Sequence, residues 1–438
     1  MTEIKVHRGS HEIGGSIVEI YTEDTHIFID FGSELSVDPE RSTDGKMVDM
    51  IRHAECDAVL FTHYHGDHIG LISGIPEKDI RGRKIGLYMG SVARQVLRNI
   101  HTTLSDFDDQ PEEELQKHRD YIALLDSRVS TFDDSGESFD IGDFNITPVM
   151  ADHSAYDAYM FIIESRSDHR VIVHTGDFRT HGRLGEDLFD KVKKAIGGRR
   201  VDTLIIEGTM MSRLTEKVRT ERELQTEAAE LLARPENKYA YLICSSTNVE
   251  SLASFANAAF SLRPTRAFFV NPYVKEQIDL YRRTAGADDE DFKFKKTYAF
   301  EPQDRINPRY GTTQPEFMEE HGFLMLIGTS EAYRLRMKRF EKYDPLLIYS
   351  MWDGYINRKK YPDTYREDLG GLYNSWPENR RVSLHTSGHA TAEDIRKMIL
   401  TVAPEKHILP IHTEEPEAFY RLDIGRYADL IDIVGDER

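Results

Sequence analysis

Cysteine is nearly absent. The 438 residues hold two, Cys56 and Cys244, too few for a disulfide framework, so a reducing cytoplasm is the expected setting. No apolar run approaches the roughly 18 residues that cross a bilayer, and the opening MTEIKVHRGS has no apolar stretch of the secretory kind. No membrane partner is expected. Basic residues are in deficit, 56 Lys and Arg against 76 Asp and Glu, for a formal net charge of -20. A protein that coats nucleic acid without specificity needs the opposite surplus, because each neutralised phosphate takes a cation. A local cleft for a nucleic acid is not excluded by that balance. Repeats and low-complexity tracts are missing too, and the polar stretches 106–114 and 288–291 read as solvated loops or a helix start. Core formers are in good supply: 39% of residues are hydrophobic, with 21 Phe and 21 Tyr. A chain of this length has room for two or three domains.

The first 210 residues alternate short strand patterns with Gly, Asp and Asn turns: 16–21, 27–30, 58–62, 144–149, 159–163, 171–173 and 203–206. SIVEIY followed closely by HIFIDFG reads as a hairpin, so this part is expected to be sheets covered by helices. After Glu207 the texture changes. Amphipathic helices at 220–233 and 249–259 alternate with buried strands at 241–244, 267–270, 323–327 and 345–349, the pattern of a parallel α/β domain. Charge divides in the same way, since residues 210–380 carry 26 Lys and Arg against 26 Asp and Glu. Within them Arg334, Arg336, Lys338, Arg339 and Lys342 lie close together, and Arg358, Lys359 and Lys360 are consecutive. Each cluster reads as a solvated helix face, or as a wall facing phosphates if a catalytic site is near.

The densest chemistry lies in DAVLFTHYHGDHIG, residues 57–70, where an apolar strand runs into His63, His65, Asp67 and His68. At extended spacing His63 and His65 share a side, and Gly66 permits the sharp turn that brings Asp67 and His68 back against them. That arrangement suits two adjacent metals. His153 follows the strand pattern FNITPVMAD, Asp177 ends VIVHTGD, and His412 follows the apolar HILPI. Alone, each is an ordinary turn former or a satisfied polar group. Imidazole and carboxylate ligands without thiolates suit Zn(II), with Mn(II) as the alternative.

His63, His65, Asp67, His68, His153 and Asp177 resemble the ligand set of the metallo-β-lactamase superfamily, and Asp30 in FIDFG resembles its Asp that orients the histidine loop. Glu207 in LIIEGT, His389 in HTSGHA and His412 in LPIHTEE resemble the three further motifs of the β-CASP nucleases, and EIGGS, HTSGHA and PIHTE are most similar to the ribonuclease J family. The resemblance implies an α/β chain: a metallo-β-lactamase αββα sandwich, residues 1–209 and 381–438, interrupted by a parallel-sheet β-CASP domain, residues 210–380. It implies a ribonuclease of cytoplasmic RNA processing that hydrolyses phosphodiesters in single-stranded RNA, as an exonuclease from the 5′ end, an endonuclease, or both. Two Zn(II) ions are expected, one on His63, His65 and His153, the other on Asp67, His68 and His412, with Asp177 between them. Asp67, His389 and Glu207 would be catalytic. The metals would supply an activated hydroxide for in-line attack, His389 would donate a proton to the departing oxygen, and Glu207 would raise the basicity of His389. His385, Ser387 and Gly388 would contact phosphate oxygens. RNA would enter beside residues 210–380, and a homo-oligomer is compatible with this reading. A DNA nuclease of the same group is the alternative. So is a metallo-hydrolase of small esters, thioesters, lactones or lactams, although that chemistry has no use for so long an insert.

Overall fold

A computed structural model describes residues 1–35, 42–106, 110–284, 289–300, 313–362 and 364–435. Positions 107–109 and 288, within the two polar stretches, lie outside the described residues. The chain forms two compact units, Met1–Lys217 with Gly388–Arg438, and Val218–Ser387.

The first unit opens with a sheet of six strands in sequential order: β1 (Glu3–Arg8), β2 (Ile17–Tyr21), β3 (His26–Ile29), β4 (Ala58–Leu60), β5 (Gly86–Gly90) and β6 (Val129–Phe132). The hairpin of SIVEIY and HIFIDFG is there as β2 and β3, with Val18 opposite Ile29 and Ile20 opposite Ile27. From β3 onward the strands run parallel. A second sheet follows with β7 (Phe139–Ile141), β8 (Phe144–Ala151), β9 (Ala158–Ser165), β10 (Val171–His174) and β11 (Thr203–Glu207).

Strand β9 shows why the two sheets form a sandwich. Tyr159, Phe161 and Ile163 point into a core shared with Val18, Ile20, Ile27, Ile29 and Leu60 of the first sheet. Met160 and Ile162 point the other way, into a core with Leu188, Val192, Ile395 and Ile399 of the helices Leu188–Ile196 and Ala392–Val402. A strand buried on both faces reads as one apolar run, which is how AYMFII appears. Each such aliphatic or aromatic side chain contributes about 1.5–3 kcal/mol by leaving water. On the first sheet, the helices Ser91–Ser105 and Glu112–Arg128 pack on each other and beside β5 and β6.

The second unit is a parallel sheet: β12 (Tyr239–Cys244), β13 (Phe268–Val270), β14 (Thr297–Ala299), β15 (Phe323–Leu326), β16 (Leu346–Ser350) and β17 (Arg381–Ser383). Its spatial order is β14-β13-β15-β12-β16-β17, and each pair is parallel. Helix Glu221–Ala233 begins at a capping box, in which Thr220 and Glu223 satisfy each other's backbone N–H groups. After this unit the chain returns as β18 (His407–Ile411), which completes the second sheet by pairing in parallel with β11.

Strands β1, β5, β6, β7, β14 and β17 are absent from the sequence-based expectation. VSTF, FDI, TYA and RVS are too short and too mixed to show a period, and GLYMG carries a glycine at each end. Pairing with neighbours far along the chain, not local pattern, makes them strands.

Candidate metal centre

Asp30 sits one residue beyond β3 with φ 60°, a left-handed backbone that an aspartate tolerates better than most residues. Its carboxylate accepts the Thr62 N–H at 2.7 Å and the Thr62 hydroxyl at 2.8 Å, and it pairs with His68 Nδ1 at 2.7 Å. One side chain thereby fixes the turn after β4 and holds the proton of His68 on Nδ1, leaving Nε2 for the site. The helix Gly66–Ile69 carries Asp67 and His68 and is strapped from behind. Phe31 N–H donates to His68 O at 2.8 Å and Ser33 N–H to Gly66 O at 3.0 Å. Gly32 lies so close that a Cβ there would fall 1.7 Å from Asp67 O.

The same device recurs around the other histidines. His63 Nδ1 lies 3.0 Å from the Thr62 hydroxyl, which gives its own proton to Asp30. His153, just past β8, donates from Nδ1 to Gly388 O at 2.6 Å. His412 follows β18 at φ 51°, and its Nδ1 lies 2.9 Å from Thr209 Oγ1 while its Nε2 is 3.1 Å from Asp67 Oδ2. Thr209 Oγ1 can donate to His412 O at 3.3 Å, so it takes the Nδ1 proton as acceptor and the Nε2 lone pair faces inward.

The inward atoms converge. Ligand atoms of His63, His65 and His153 lie within 4.8 Å of one another, as do those of Asp67, His68 and His412, of His63, His68 and Asp177, and of His153, Asp177 and His389. The two expected ligand triads are thus each brought together, with Asp177 and His389 adjacent. His63 Nε2 and Asp177 Oδ1 are buried without a hydrogen-bond partner among the described residues, and His68 Nε2 faces Asp177 Oδ2 at 3.2 Å. Leaving one such atom dry costs about 1–3 kcal/mol, a cost that bound cations would offset. The donor set fits divalent metal.

Burial, followed by the neighbouring imidazoles, holds His63 and His153 well below the usual histidine range. Burial likewise takes His65 down to about 4. These three are therefore neutral near pH 7, as ligands must be. Burial also acts to lower His68, but the carboxylates of Asp177, Asp30 and Asp67 outweigh it and raise that group well above its ordinary value. Burial acts to raise Asp177, yet the imidazoles of His412, His68 and His389 hold it well below the carboxylate range. For His389 burial is overcome by Glu207 and Asp177, to about 9. A negative pair of aspartates amid imidazoles is the charge pattern that a divalent pair completes.

Glu207, at the end of β11, accepts from Phe178 N–H at 2.9 Å and Ala390 N–H at 3.3 Å, and its Oε2 lies 3.3 Å from His389 Nδ1. The expected juxtaposition of Glu207 and His389 is present. Of the residues assigned to phosphate, His385 and Ser387 close the second unit. Gly388 turns its carbonyl toward His153, and a Cβ on it would meet Ser154 Oγ at 2.6 Å. Sequence reasoning missed Thr62 and Thr209 and the carbonyl role of Gly388. A signal did exist for Thr209, which stands two residues after Glu207 in IIEGT.

In the basic cluster at 334–342, Arg334, Lys338, Arg339 and Lys342 are exposed, as on a solvated helix face, and Arg336 is half-buried. Arg336 lies over the Phe300 ring at 4.4 Å, and Arg339 and Lys342 share Glu319 at 3.4 and 3.8 Å.

Residues 37–243 match the model of the beta-lactamase superfamily domain. The first unit is a metallo-β-lactamase-fold domain. Residues 379–420 match the model of the Zn-dependent metallo-hydrolase RNA specificity domain, and that stretch brings the Gly388 carbonyl to His153, His389 to His153 and Asp177, and His412 to Asp67 and His68. The crystal structure of a protein of unknown function from Enterococcus faecalis V583 superposes with a TM-score of 0.66 at 20% identity, over 95% of each chain. The metallo-beta-lactamase fold protein YhfI from Bacillus subtilis aligns with a TM-score of 0.31 at 16% identity, over 48% of this chain and 71% of that one. No curated protein matches the sequence. Among the described residues no helix is long and apolar enough to cross a membrane.

Proposed function

We propose that this chain hydrolyses phosphodiester bonds in single-stranded RNA, as a metal-dependent nuclease of the β-CASP group most similar to ribonuclease J. The observation that carries the reading is the pairing of His389 with Glu207 beside seven imidazole and carboxylate ligand candidates, with His389 and His412 on a segment that matches an RNA specificity domain. Two Zn(II) ions, when bound, supply Lewis acidity and an activated water. His63, His65 and His153 would hold one, Asp67, His68 and His412 the other, with Asp177 between. The protein's own groups do the rest. Asp30, Thr62, Gly388 and Thr209 keep the ligand imidazoles in the tautomer that presents a lone pair. Glu207 keeps a proton on His389 Nδ1, so the ring is charged and can protonate the departing 3′-oxygen.

End-labelled single-stranded RNA and DNA of one sequence, incubated with zinc-loaded and chelator-treated protein, test this. RNA cleavage that needs metal is expected. Mononucleotides released from the 5′ end would assign an exonuclease, and internal cuts an endonuclease. Rapid hydrolysis of a lactone or thioester with RNA left intact overturns the reading.

A further inference from the structure

Two ligand-bearing loops leave the second sheet at the same end without sharing a ladder. His153 follows β8 and Asp177 follows β10, while β9 lies between those strands and pairs with both. Strands two apart in a sheet are roughly 10 Å from each other, yet His153 Nε2 comes within 4.0 Å of Asp177 Oδ2. A bond across the start of β9 draws the loops together. Arg179 N–H donates to Asp152 O at 2.7 Å, and Arg179 Nε donates to Asp152 Oδ1 at 3.0 Å. The second carboxylate oxygen, Oδ2, accepts the Gly182 N–H at 2.8 Å. The chain folds over that oxygen so closely that a Cβ on Gly185 would lie 2.7 Å from it. Asp152 and Arg179 are both wholly buried.

Arg179 is itself a fixed post. On one side Phe178 N–H donates to Glu207 at the end of β11, at 2.9 Å, and on the other the Thr180 hydroxyl donates to Asp394 Oδ1, in the helix Ala392–Val402, at 2.5 Å. Asp152 thus hangs from a segment tied to two further elements, and it is the residue next to His153. Gly388 O sets the turn of the His153 ring, whereas Asp152 sets the place from which that ring reaches. Stability is a poor reason for such a pair. Taking two charges out of water costs much of what their attraction returns, and apolar side chains of similar volume serve a core as well or better. An ion pair offers what an apolar contact does not, which is direction: guanidinium and carboxylate meet in one geometry.

We propose that Asp152 and Arg179 are positioning residues, whose buried ion pair sets the loop of His153 against the loop of Asp177 so that both present ligand atoms to one metal centre. The proposal rests on the metal-centre part of the reading above and not on the choice of RNA as substrate.

Zinc affinity of the metal-free full chain, measured against a chromogenic chelator, and its melting temperature without metal are read side by side. Arg179→Met leaves the Asp152 carboxylate buried without its cation and should lower both. Asp152→Asn combined with Arg179→Met removes both charges and keeps an amide oxygen for the Gly182 N–H. Its melting temperature should return most of the way to that of the native chain. Zinc affinity should not return with it: one of the two ions should stay weaker by about 10- to 100-fold, the range for groups that hold a metal ligand in place. The visible absorption of Co(II), bound instead of zinc, should differ from that of the native chain. Native zinc affinity in the double variant makes the pair a matter of stability alone, and overturns the proposal while leaving the metal centre standing. Should Arg179→Met fail to fold, the double variant decides by itself. A native chain that takes up no zinc overturns the metal centre and the proposal together.

Discussion

Thr209 and Asp30 do equivalent work for histidines at opposite ends of the chain, one through a hydroxyl and the other through a carboxylate. Such partners set the tautomer and the aim of a ligand, and their removal typically costs about 10- to 100-fold in metal affinity. Thr209→Val keeps the shape of the side chain and removes the acceptor for His412 Nδ1. Zinc affinity measured against a chromogenic chelator should fall within that range, with an unchanged circular dichroism spectrum. His389→Ala is expected to leave two metals per chain by elemental analysis while lowering turnover of RNA by about 10²-fold, the contribution of a general acid. Glu207→Gln should act in the same direction and less, because Glu207 works through His389. His63, His65, Asp67 and His68 were legible as residue types in a spacing, whereas His153, Asp177 and His412 joined them only through the family resemblance, and the structure brings their ligand atoms together in groups of three. Thr62, Thr209 and the Gly388 carbonyl were not legible, since a threonine or a backbone oxygen acquires its role only from what the fold sets opposite it.

At the scale of elements, the Phe31–Gly32 strap and the short helix Gly66–Ile69 depend on a backbone approach too close for any side chain. Gly32→Ala should therefore push the helix outward, and metal stoichiometry should fall below two even where the global fold survives. The helices Ser91–Ser105 and Glu112–Arg128 carry a different sensitivity. His101 lies flat on Tyr121 at 3.7 Å and sets its Nδ1 3.0 Å from Nδ1 of His118. Burial and then His118 lower His101 to about 4. A histidine depressed in the folded state takes up its proton more readily when unfolded, so its stabilising effect is present above pH 6.5 and lost as pH falls toward 4. Thermal unfolding followed at pH 7.5 and pH 5 should show this loss, and His101→Phe should reduce the difference. Long apolar runs such as AYMFII and YLIC declared their strands in the sequence. Short ones such as RVS and FDI did not, because their stability comes from neighbours remote in the chain.

For the whole molecule, the two units have separate hydrophobic cores, built from the sandwich in one and from Tyr241, Phe269, Met325 and Leu347 in the other. Metal binds only where the ligands are, so its linkage energy belongs to the first unit: about 2.7 kcal/mol for each site at a free concentration 100 times its dissociation constant. Calorimetry with and without chelator should show one transition shifted and another unmoved. A change in texture near Glu207 announced a parallel α/β body after it, while its place as an interruption of a sandwich was implied by the family resemblance alone. Strand order was not legible, for nothing local tells β12 that its neighbours will be β15 and β16.

The pairing of β18 with β11 also sets a timetable. During synthesis, β11 leaves the ribosome about 200 residues before its partner, with one edge bare and with Glu207 and Thr209 already in place but nothing to hold. Between them the whole second unit is translated. Only when residues 388–412 emerge do His389 and His412 arrive and the Gly388 carbonyl reach His153. Until then the nascent chain offers an incomplete cage, so tight capture of a divalent metal would mark a chain that has been read through to β18.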